Sequence, residues 1–443
     1  MSPWLRRVTG LDFHILATLL FRGWSILAGG LTALLIPLFL GPLQQGYYYT
    51  FGAVVATQVF FELGLNHVLT QLTSHAAAHL TSGTYVDARW QCAIVSLLNA
   101  SKRWNGLLAI AFFATLLAGG SYFFASQGTL ATPDWLLPWI AISVAASLNL
   151  AMSAHLAICE GLGEIGRVAR LRLLQSAIGY TLLWALLLTG QGLWSAPAVP
   201  LVSAALTFWW LRHQPRLKEL RAAAVAHAAD DGKHYRWRTD VFPLQWRIAV
   251  SWASGYFIFN FLTPVVFAHQ GPVGAGQLGL AMTIFSAISS VGFSWISAKI
   301  PAFAGHIARA ERTELNALFD GLLIRSVLAT AVLVVAFMLF AHIAGLIGSR
   351  MVARLPPTSA LLCLATATIV NTLIFGMAAY LRAHNEEPLM VQSMVTAILI
   401  GGGITLAAAH GLTATVATYA GIMLLVSLPW CWMTYRTYRL RKE

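Results

Sequence analysis

The amino-acid sequence predicts an all-α polytopic membrane protein with twelve transmembrane helices in two parallel-repeat six-helix lobes around a central cavity. Three observations support this fold class. Hydrophobic residues make up 58% of the 443 residues, charged residues only 10%, and the mean hydropathy is +0.70. This leaves too little polar surface to cover a soluble fold of this size. Apolar runs of membrane-spanning length recur along the chain, and the pattern of the first half returns in the second.

Each apolar run has about the 20 residues that cross a bilayer as a helix. The first run is too long for the apolar part of a cleaved signal peptide, so we expect an uncleaved first span. The first two runs form a hairpin across the uncharged turn GPLQQG. The twelve runs lie at about 13–40, 46–72, 104–125, 135–158, 168–190, 194–212, 245–268, 273–298, 321–347, 358–381, 389–409 and 412–433.

The distribution of lysine and arginine predicts the orientation. Twelve spans place both termini on one side, and nearly all basic residues outside the spans fall at the termini or in even-numbered loops. Only Arg350 and Arg354 fall on the opposite side. The positive-inside rule therefore predicts a multi-pass protein of the bacterial inner (plasma) membrane with both termini in the cytoplasm. Because this topology accounts for the net charge of +12, we expect membrane lipids and no nucleic acid as partners.

Three segments follow from this organisation. We predict an N-terminal six-helix lobe over 1–213, a basic cytoplasmic linker over 214–243 and a C-terminal six-helix lobe over 244–443. The linker is the longest hydrophilic stretch and is rich in charge and alanine. Such a composition is typical of a connection between domains.

The two lobes carry similar signatures. Arg22 precedes the turn GPLQQG at 41–46, and Arg247 precedes the turn GPVGAG at 271–276. The segment between the arginine and the turn is five residues longer in the second lobe. Because six spans separate the copies, both begin on the same side. The pattern therefore predicts parallel repeats, as in transporters whose lobes rock about a central site.

Several motif-like patterns have ordinary structural explanations. The GxGxxG string at 161–166 follows a membrane span rather than a strand, so it predicts a cytoplasmic turn and no nucleotide site. His75 and His79 have the spacing of helical metal ligands, but no carboxylate lies between them, so we predict a solvated helix face and no metal. We expect no cofactor. Scattered cysteines predict no disulfide framework: Cys92, Cys159, Cys363 and Cys431.

Two charges inside the first hairpin need an explanation. Arg22 lies 18 residues before Leu40, and Glu62 lies 16 after Gly46. At about 1.5 Å per residue, these are depths of roughly 27 and 24 Å from the turn, nearly one level. A charge inside a membrane span costs a few kcal/mol and normally faces a partner or a wet cavity. Arg22 and Glu62 are therefore either a structural ion pair or part of a substrate or proton pathway.

Further polar residues in the spans are candidates for contact with a substrate. Arg247 and Arg325 lie near the starts of their spans, so each either faces a cavity or extends to the cytoplasmic surface. Amides in apolar helices form hydrogen bonds between helices or contact a ligand. The candidate amides are Asn66, Asn260 and Asn371, with Asn149 as a further intramembrane asparagine.

RGW occurs at 22–24, IPLFLGPLQQGYYYTF at 36–51 and FFELGLNHVL at 60–69. In this combination the sequence resembles the bacterial oligosaccharide flippases of the multidrug/oligosaccharidyl-lipid/polysaccharide exporter superfamily. The resemblance implies two six-helix bundles enclosing a cavity that opens alternately to either side. It also implies a polyprenyl-diphosphate-linked oligosaccharide as substrate, moved from the cytoplasmic to the outer leaflet. Arg22 matches the first-helix arginine of that family, and Arg247 is its approximate counterpart in the second lobe.

The chemistry of the intramembrane residues agrees with this resemblance. Arginine recognises phosphate oxygens through permanently charged, bidentate hydrogen bonds, which suits Arg22 and Arg247 to a diphosphate. The sugars need a polar lining. Glu62 either holds Arg22 when the cavity is empty or takes up a proton, so the expected coupling ion is a proton or sodium.

Two alternative functions are open, one within the same superfamily and one from a different class. A multidrug cation antiporter of the same superfamily would favour a carboxylate-rich cavity, whereas Glu62 is the only acidic residue well inside a span. A membrane glycan polymerase or acyltransferase would need clustered acid, base or nucleophile residues, commonly in a sizeable outer loop. The outer loops are short and hold no such cluster, so we do not expect an enzyme.

Overall fold

The computed structural model describes residues 13–80, 88–215, 219, 235, 237–384 and 388–442. Every regular element among these residues is a helix. Long apolar stretches without paired strands satisfy their backbone hydrogen bonds internally only as helices, which is what a bilayer requires. The helices of the first half are α1 (Phe13–Phe39), α2 (Pro42–Val55, Ala56–Gln58, Val59–Glu62 and Leu65–Leu80), α3 (Ala88–Thr115, Leu116–Gly120 and Ser121–Gln127), α4 (Thr132–Gly161), α5 (Ile165–Leu188) and α6 (Gly192–Ser195 and Ala198–Arg212).

The second half repeats this series of six helices. A short 3₁₀ turn, Val352–Arg354, lies in the connection between its third and fourth helices. The helices are α7 (Phe242–Phe259 and 262–270), α8 (272–297 and Ile300–Ala308), α9 (Arg312–Leu346), α10 (Thr358–Ala383), α11 (Met390–Ala407 and Ala408–His410) and α12 (Leu412–Ile422, Met423–Ser427 and Leu428–Lys442).

The twelve predicted membrane helices are confirmed. Nine helices in the described residues are long and apolar enough to cross a membrane, and the bent helix α2 is a tenth. The run Ile248–Ala308 contains two spans, because Gly271 has the non-helical angles φ 80° and ψ 176° and Pro272 follows it. The twelfth membrane helix in this count is α1, which is 27 residues long. The Gly-Pro turns at Gly41 and Gly271 thus end the first helix of each half, as the repeat predicts.

The surface of α9 shows how these helices face lipid. It contains the most apolar window of the nine spans, with a mean hydropathy of 2.5, of which only 17% is buried inside the protein. An exposed apolar face of this length is stable against hydrocarbon and not against water. The exposed residues on α9 include Ile324, Leu328, Val332, Val335 and Leu339.

The chain packs into two compact units. The tip of the first hairpin, residues 33–53, groups with the second unit rather than the first. Most of the predicted linker, 214–243, lies outside the described residues, so the predicted lobe boundaries stay a prediction. The described residues of the first unit fall within Met1–Thr32, Val54–Ser126 and Leu130–Ala253, and those of the second within Ala33–Ala53, Gln127–Thr129 and Ser254–Glu443.

In the first unit, the second part of α2 packs with α3 and α4 around one apolar cluster. The buried members include Leu65, Val68 and Leu69 of α2, Ile94, Leu97 and Leu98 of α3, and Ala154, Ala157 and Ile158 of α4. Polar side chains add hydrogen bonds between these helices. The Asn149 amide of α4 donates to the backbone carbonyl of Pro200 at 2.9 Å. Asn149 therefore connects helices.

Helix α2 is broken after Glu62, although the sequence there predicts one continuous span. The two parts are bent by 46°. Leu63 and Gly64 have positive φ angles of 47° and 69°. The side chain of Ile248 occupies the space where a Cβ at position 64 would lie, so only glycine fits there. Gly64 therefore allows the bent segment to pack against Ile248, a residue far along the chain.

In the second unit, the hairpin tip packs closely on α8. A Cβ at Gly46 would overlap the backbone carbonyl of Pro272, and one at Gly276 would lie 2.8 Å from the backbone nitrogen of Gly46. The Gln45 side chain, only 1% exposed, donates to the Gly276 carbonyl at 2.8 Å. Two small residues thus bring two backbones into contact, and the Gln45 amide adds a hydrogen bond between α2 and α8.

The end of the second unit where the chain terminates is held by an ion pair. Arg439 of α12 binds both carboxylate oxygens of Asp320 of α9, each at 2.9 Å, and also donates to the Tyr435 hydroxyl at 2.8 Å. The rings of Phe319 and Tyr380 lie 4.8 Å apart beside it. A bidentate arginine–carboxylate pair restrains orientation as well as distance. This pair therefore holds α9 and α12 together at this end.

Candidate functional site

A cavity of about 620 Å³ lies within the second unit, between the first part of α2 and helices α7, α8, α10 and α12. Its volume is in the range of sites that bind small molecules. Two of the amides predicted to contact a substrate, Asn260 and Asn371, lie on its wall. The lining residues are Tyr49, Gly52, Ala53, Phe259, Asn260, Thr263, Gly279, Met282, Thr283, Phe285, Ser286, Ser289, Leu364, Ala367, Thr368, Asn371, Phe375 and Tyr419.

Asn371 of α10 has an unused hydrogen-bonding atom. Its side chain is 8% exposed, and its Nδ2 donates to the Tyr419 hydroxyl of α12 at 3.1 Å. Its buried Oδ1 has no hydrogen-bond partner among the described residues. A buried acceptor without a donor costs about 1–3 kcal/mol. Because Asn371 also lines the cavity, a rotation of its amide that turned this oxygen toward the cavity would let it accept a hydrogen bond from a ligand hydroxyl or amide.

Asn260 lies at a break in α7. The backbone nitrogens of Asn260 and Phe261 both donate to the carbonyl of Tyr256, at 2.8 and 3.1 Å, and the helix restarts at Leu262. Interrupted helices form substrate sites in many transporters, because irregular backbone is stable in a membrane protein where it lines a cavity. The break thus places an amide side chain on the cavity wall.

Hydroxyl groups supply further polar positions on the wall. Thr283 and Thr368 donate to the carbonyls of Gly279 and Leu364, at 2.8 and 2.7 Å. A hydroxyl that donates in this way keeps lone pairs with which to accept a hydrogen bond from a ligand. None of the residues that line the cavity is charged. The wall therefore suits a neutral ligand that both donates and accepts hydrogen bonds.

A separate polar group lies in the first unit, at the break of α2. Oε1 of Glu62 accepts a hydrogen bond from Nδ2 of Asn66 at 2.6 Å, and Nε2 of Gln58 lies 3.5 Å from Oε2. Gln58 and Glu62 precede the break and Asn66 follows it, so the bend leaves the two amides on either side of the Glu62 carboxylate. The structure therefore brings together Glu62 and Asn66 of the predicted site residues.

The arginines occupy helices, as predicted. Arg22 lies in α1 and Arg247 in α7, but the side chains of both are outside the described part of the structure. The predicted pairing of Arg22 with Glu62 and the substrate contacts of both arginines stay predictions. Arg325 of α9 is an exposed residue.

Several residues of the cavity wall were not predicted from the sequence. Tyr419, whose hydroxyl binds Asn371, lies in an uncharged span. Nothing in the sequence around it indicates a binding residue. Thr283, Ser286 and Ser289 occur every three residues on α8 and so share one face. Such a row of hydroxyls in an apolar helix is a signal that could have identified this wall.

The fold matches those of solved transporters. The inward-facing conformation of a multidrug resistance MATE family transporter of the MOP superfamily matches with a TM-score of 0.62 and 15% identity, over 92% of this chain and 98% of that one. The lipid II flippase MurJ in an inward closed conformation matches with a TM-score of 0.63 and 10% identity, over 96% and 90%. An outward-facing MATE transporter matches with a TM-score of 0.54 and 16% identity, over 95% and 94%.

No protein-family model matches the sequence, and no curated protein matches it. The structural matches cover nearly the whole length of each chain, and they include a multidrug resistance transporter and a flippase. The chain therefore has the multi-span fold of the transporters of the MOP superfamily, the multidrug/oligosaccharidyl-lipid/polysaccharide exporters that its first hairpin resembles.

Proposed function

We propose that the protein flips a polyprenyl-diphosphate-linked oligosaccharide from the cytoplasmic to the outer leaflet of the bacterial inner membrane by alternating access. The product would serve the synthesis of a surface polysaccharide such as lipopolysaccharide O-antigen, capsule or exopolysaccharide. The observation that carries this proposal is the cavity of the second unit, whose wall offers amides and hydroxyls but no charged side chain.

An uncharged polar wall favours sugars over organic cations. A sugar presents many hydroxyls, each able to donate to Oδ1 of Asn371 or accept from a wall donor, and it carries apolar faces that pack on Phe259 or Phe375. A cationic drug in a cavity of low dielectric would need a carboxylate nearby. The cavity wall has none, which disfavours the multidrug cation antiporter.

The diphosphate requires cations elsewhere in the pathway. Arg22 and Arg247 are the candidates, because a guanidinium remains charged in an apolar environment and binds phosphate oxygens through two parallel hydrogen bonds. Each lies in the first helix of its half, α1 or α7. In this proposal they bind the diphosphate while Asn260 and Asn371 bind the sugars.

Glu62 is the candidate for coupling to an ion gradient. When ionised, it accepts the hydrogen bond from Asn66. The Asn66 Oδ1 is buried with no partner among the described residues. Rotation of the Asn66 amide by 180° would let that oxygen accept a hydrogen bond from protonated Glu62. Both protonation states can therefore be satisfied at the break of α2, as a proton carrier requires.

The test is a flipping assay with the full chain in proteoliposomes. The substrate is a fluorescent polyprenyl diphosphate carrying a short oligosaccharide, and a membrane-impermeant quencher reports the leaflet that it occupies. Asn371→Leu removes the amide with little change in volume. We expect about a tenfold loss of flipping rate per folded molecule, because one buried hydrogen bond is worth on the order of 1–1.5 kcal/mol.

Asn149→Leu is the matched control. Its amide also lies in a membrane helix but binds the backbone of α4 and α6. This variant should unfold at a lower temperature while each folded molecule keeps its flipping rate. If the proteoliposomes exchange a lipophilic cation for protons and leave the lipid-linked oligosaccharide in place, the flippase proposal is wrong and the antiporter is correct.

A further inference from the structure

A second depression, of about 450 Å³, lies between α5 and α6 in the first unit. It is an open groove at the end of these helices that carries Arg167, Arg170 and Arg212. The sites proposed above do not use it. Its wall is formed by Arg167, Arg170, Leu171, Leu174, Leu206, Trp209, Trp210, Gln214 and Pro215.

The deeper part of the groove is apolar and open to its surroundings. Leu174 is 46% exposed and Trp209 is 56% exposed. Leu174 lies about 10 Å further along α5 than Arg167, at about 1.5 Å per residue. Tryptophan is enriched where a membrane protein meets the lipid headgroups. The groove therefore runs from the interface into the region of the lipid chains.

The mouth of the groove is positively charged. Arg167 and Arg170 are exposed there. Glu164 lies beside the mouth and offsets part of this charge, since its carboxylate binds Arg167 at 3.0 Å and also accepts a hydrogen bond from Gln214. Among the residues that line the groove itself, two are cationic and none is anionic.

We propose that this groove binds an anionic glycerophospholipid of the surrounding bilayer, with its phosphate at Arg167 and Arg170 and an acyl chain along Leu174 and Trp209. A lipid is an amphipathic ligand of this shape, with a negative head and an apolar tail attached to it. Basic pockets between membrane helices are known to select anionic headgroups. The charge of the mouth and the apolar depth of the groove match the two ends of one such molecule.

The experiment is native mass spectrometry of the full chain in detergent, titrated with phosphatidylglycerol or phosphatidylcholine of the same chain length. We expect phosphatidylglycerol to bind at least about tenfold more tightly, and the double variant Arg167→Gln/Arg170→Gln to lose this preference. Arg172→Gln is the matched control. Arg172 is on the same helix, pairs with Glu160 at 2.7 Å and does not line the groove, so this variant should bind lipid as the unsubstituted protein does.

A second pair of variants tests the apolar part without altering charge. Leu174→Trp should fill the groove and weaken binding of phosphatidylglycerol about tenfold, whereas Leu182→Trp, at an exposed position of α5 outside the groove, should not. Equal binding of both lipids would overturn the proposal. So would displacement of phosphatidylglycerol by millimolar inorganic phosphate, which would indicate a site for free anions, or unchanged binding in both the double variant and Leu174→Trp.

Discussion

Glu62 combines two features at the level of a single residue: it is a carboxylate within a membrane span, and it ends a helical segment. The backbone adopts positive φ angles immediately after it, at Leu63 and Gly64. Its oxygens accept hydrogen bonds from amides on its own helix rather than from backbone N–H groups. A carboxylate held by neutral, rotatable amides can change protonation state without leaving a buried charge unpaired.

This arrangement predicts the behaviour of Glu62→Gln. Glutamine keeps the shape and can still hydrogen-bond to Asn66, but it cannot carry a proton in the way that a carboxylate does. We expect the variant to fold normally and to flip substrate at the same low rate with and without an imposed pH gradient. The measurement is the flipping rate in proteoliposomes whose internal and external pH are set independently.

Glu160→Gln is a suitable comparison, because Glu160 lies at the end of α4 and pairs with Arg172. It should keep the gradient-driven rate of the unsubstituted protein. A Glu62→Gln protein with a normal rate and a normal response to pH would exclude Glu62 from coupling and leave it a structural role.

At the level of helices, α2 approaches α8 closely within the second unit. The hairpin tip contributes Tyr49, Gly52 and Ala53 to the cavity wall, and it reaches that position because Gly46 and Gly276 allow two backbones to touch. Without a hydrophobic driving force between helices in lipid, such contacts depend on small residues that permit close packing. The glycines therefore matter for the cavity although they do not line it.

Gly46→Ala tests this contact. The added methyl group meets the backbone of Pro272, which cannot rotate away as a side chain can. We expect a loss of about 1–3 kcal/mol in stability, typical of overpacking, measured as a lower unfolding temperature of the purified protein. Gly402→Ala is the control, since nothing lies within 4 Å of a Cβ there. It should be neutral or slightly stabilising, as for alanine in an exposed helix position. Equal effects of the two substitutions would show that the contact has no energetic role.

At the level of the whole molecule, the basic residues predict which face of the membrane each loop meets. The ion pair of Arg439 with Asp320 lies at helix ends that we assign to the cytoplasm, as does the groove at Arg167. Arg350 lies in the connection between α9 and α10, which we assign to the opposite side. With an even number of helices, we propose that both termini lie on the cytoplasmic side. The orientation is a proposal that can be tested independently of transport.

Cysteine labelling provides that test. In a protein whose four native cysteines are replaced by alanine, Arg350→Cys should react with a membrane-impermeant maleimide in intact cells. Thr313→Cys, an exposed position at the start of α9, should react only after the membrane is permeabilised. The opposite pattern would reverse the topology, and with it the direction of flipping that we propose.

Much of the fold could be predicted from the sequence, because membrane helices are specified locally. Each run of about 20 apolar residues must form a helix on its own, since hydrocarbon offers no partner for its backbone groups. The turns at Gly41 and Gly271 were predictable for the same local reason. The breaks at Gly64 and Asn260 were not, because the amino acids around them do not differ enough from those of a continuous helix.

The candidate site was only partly predictable. Asn260 and Asn371 stood out as amides in apolar helices, but their presence on one cavity wall depends on how the helices of the second unit are arranged around the cavity. Tyr419 gave no signal at all, although its hydroxyl holds Asn371.

The sequence by itself determined the fold class, the number of helices and the polar side chains available within the membrane, because these follow from length, hydropathy and residue type over short stretches. Only the tertiary structure decided which polar groups meet. The contact of Gln45 with Gly276 joins residues 231 positions apart. That of Asn371 with Tyr419 joins residues 48 apart. Such pairs form through the packing of whole helices, so no short stretch of sequence records them.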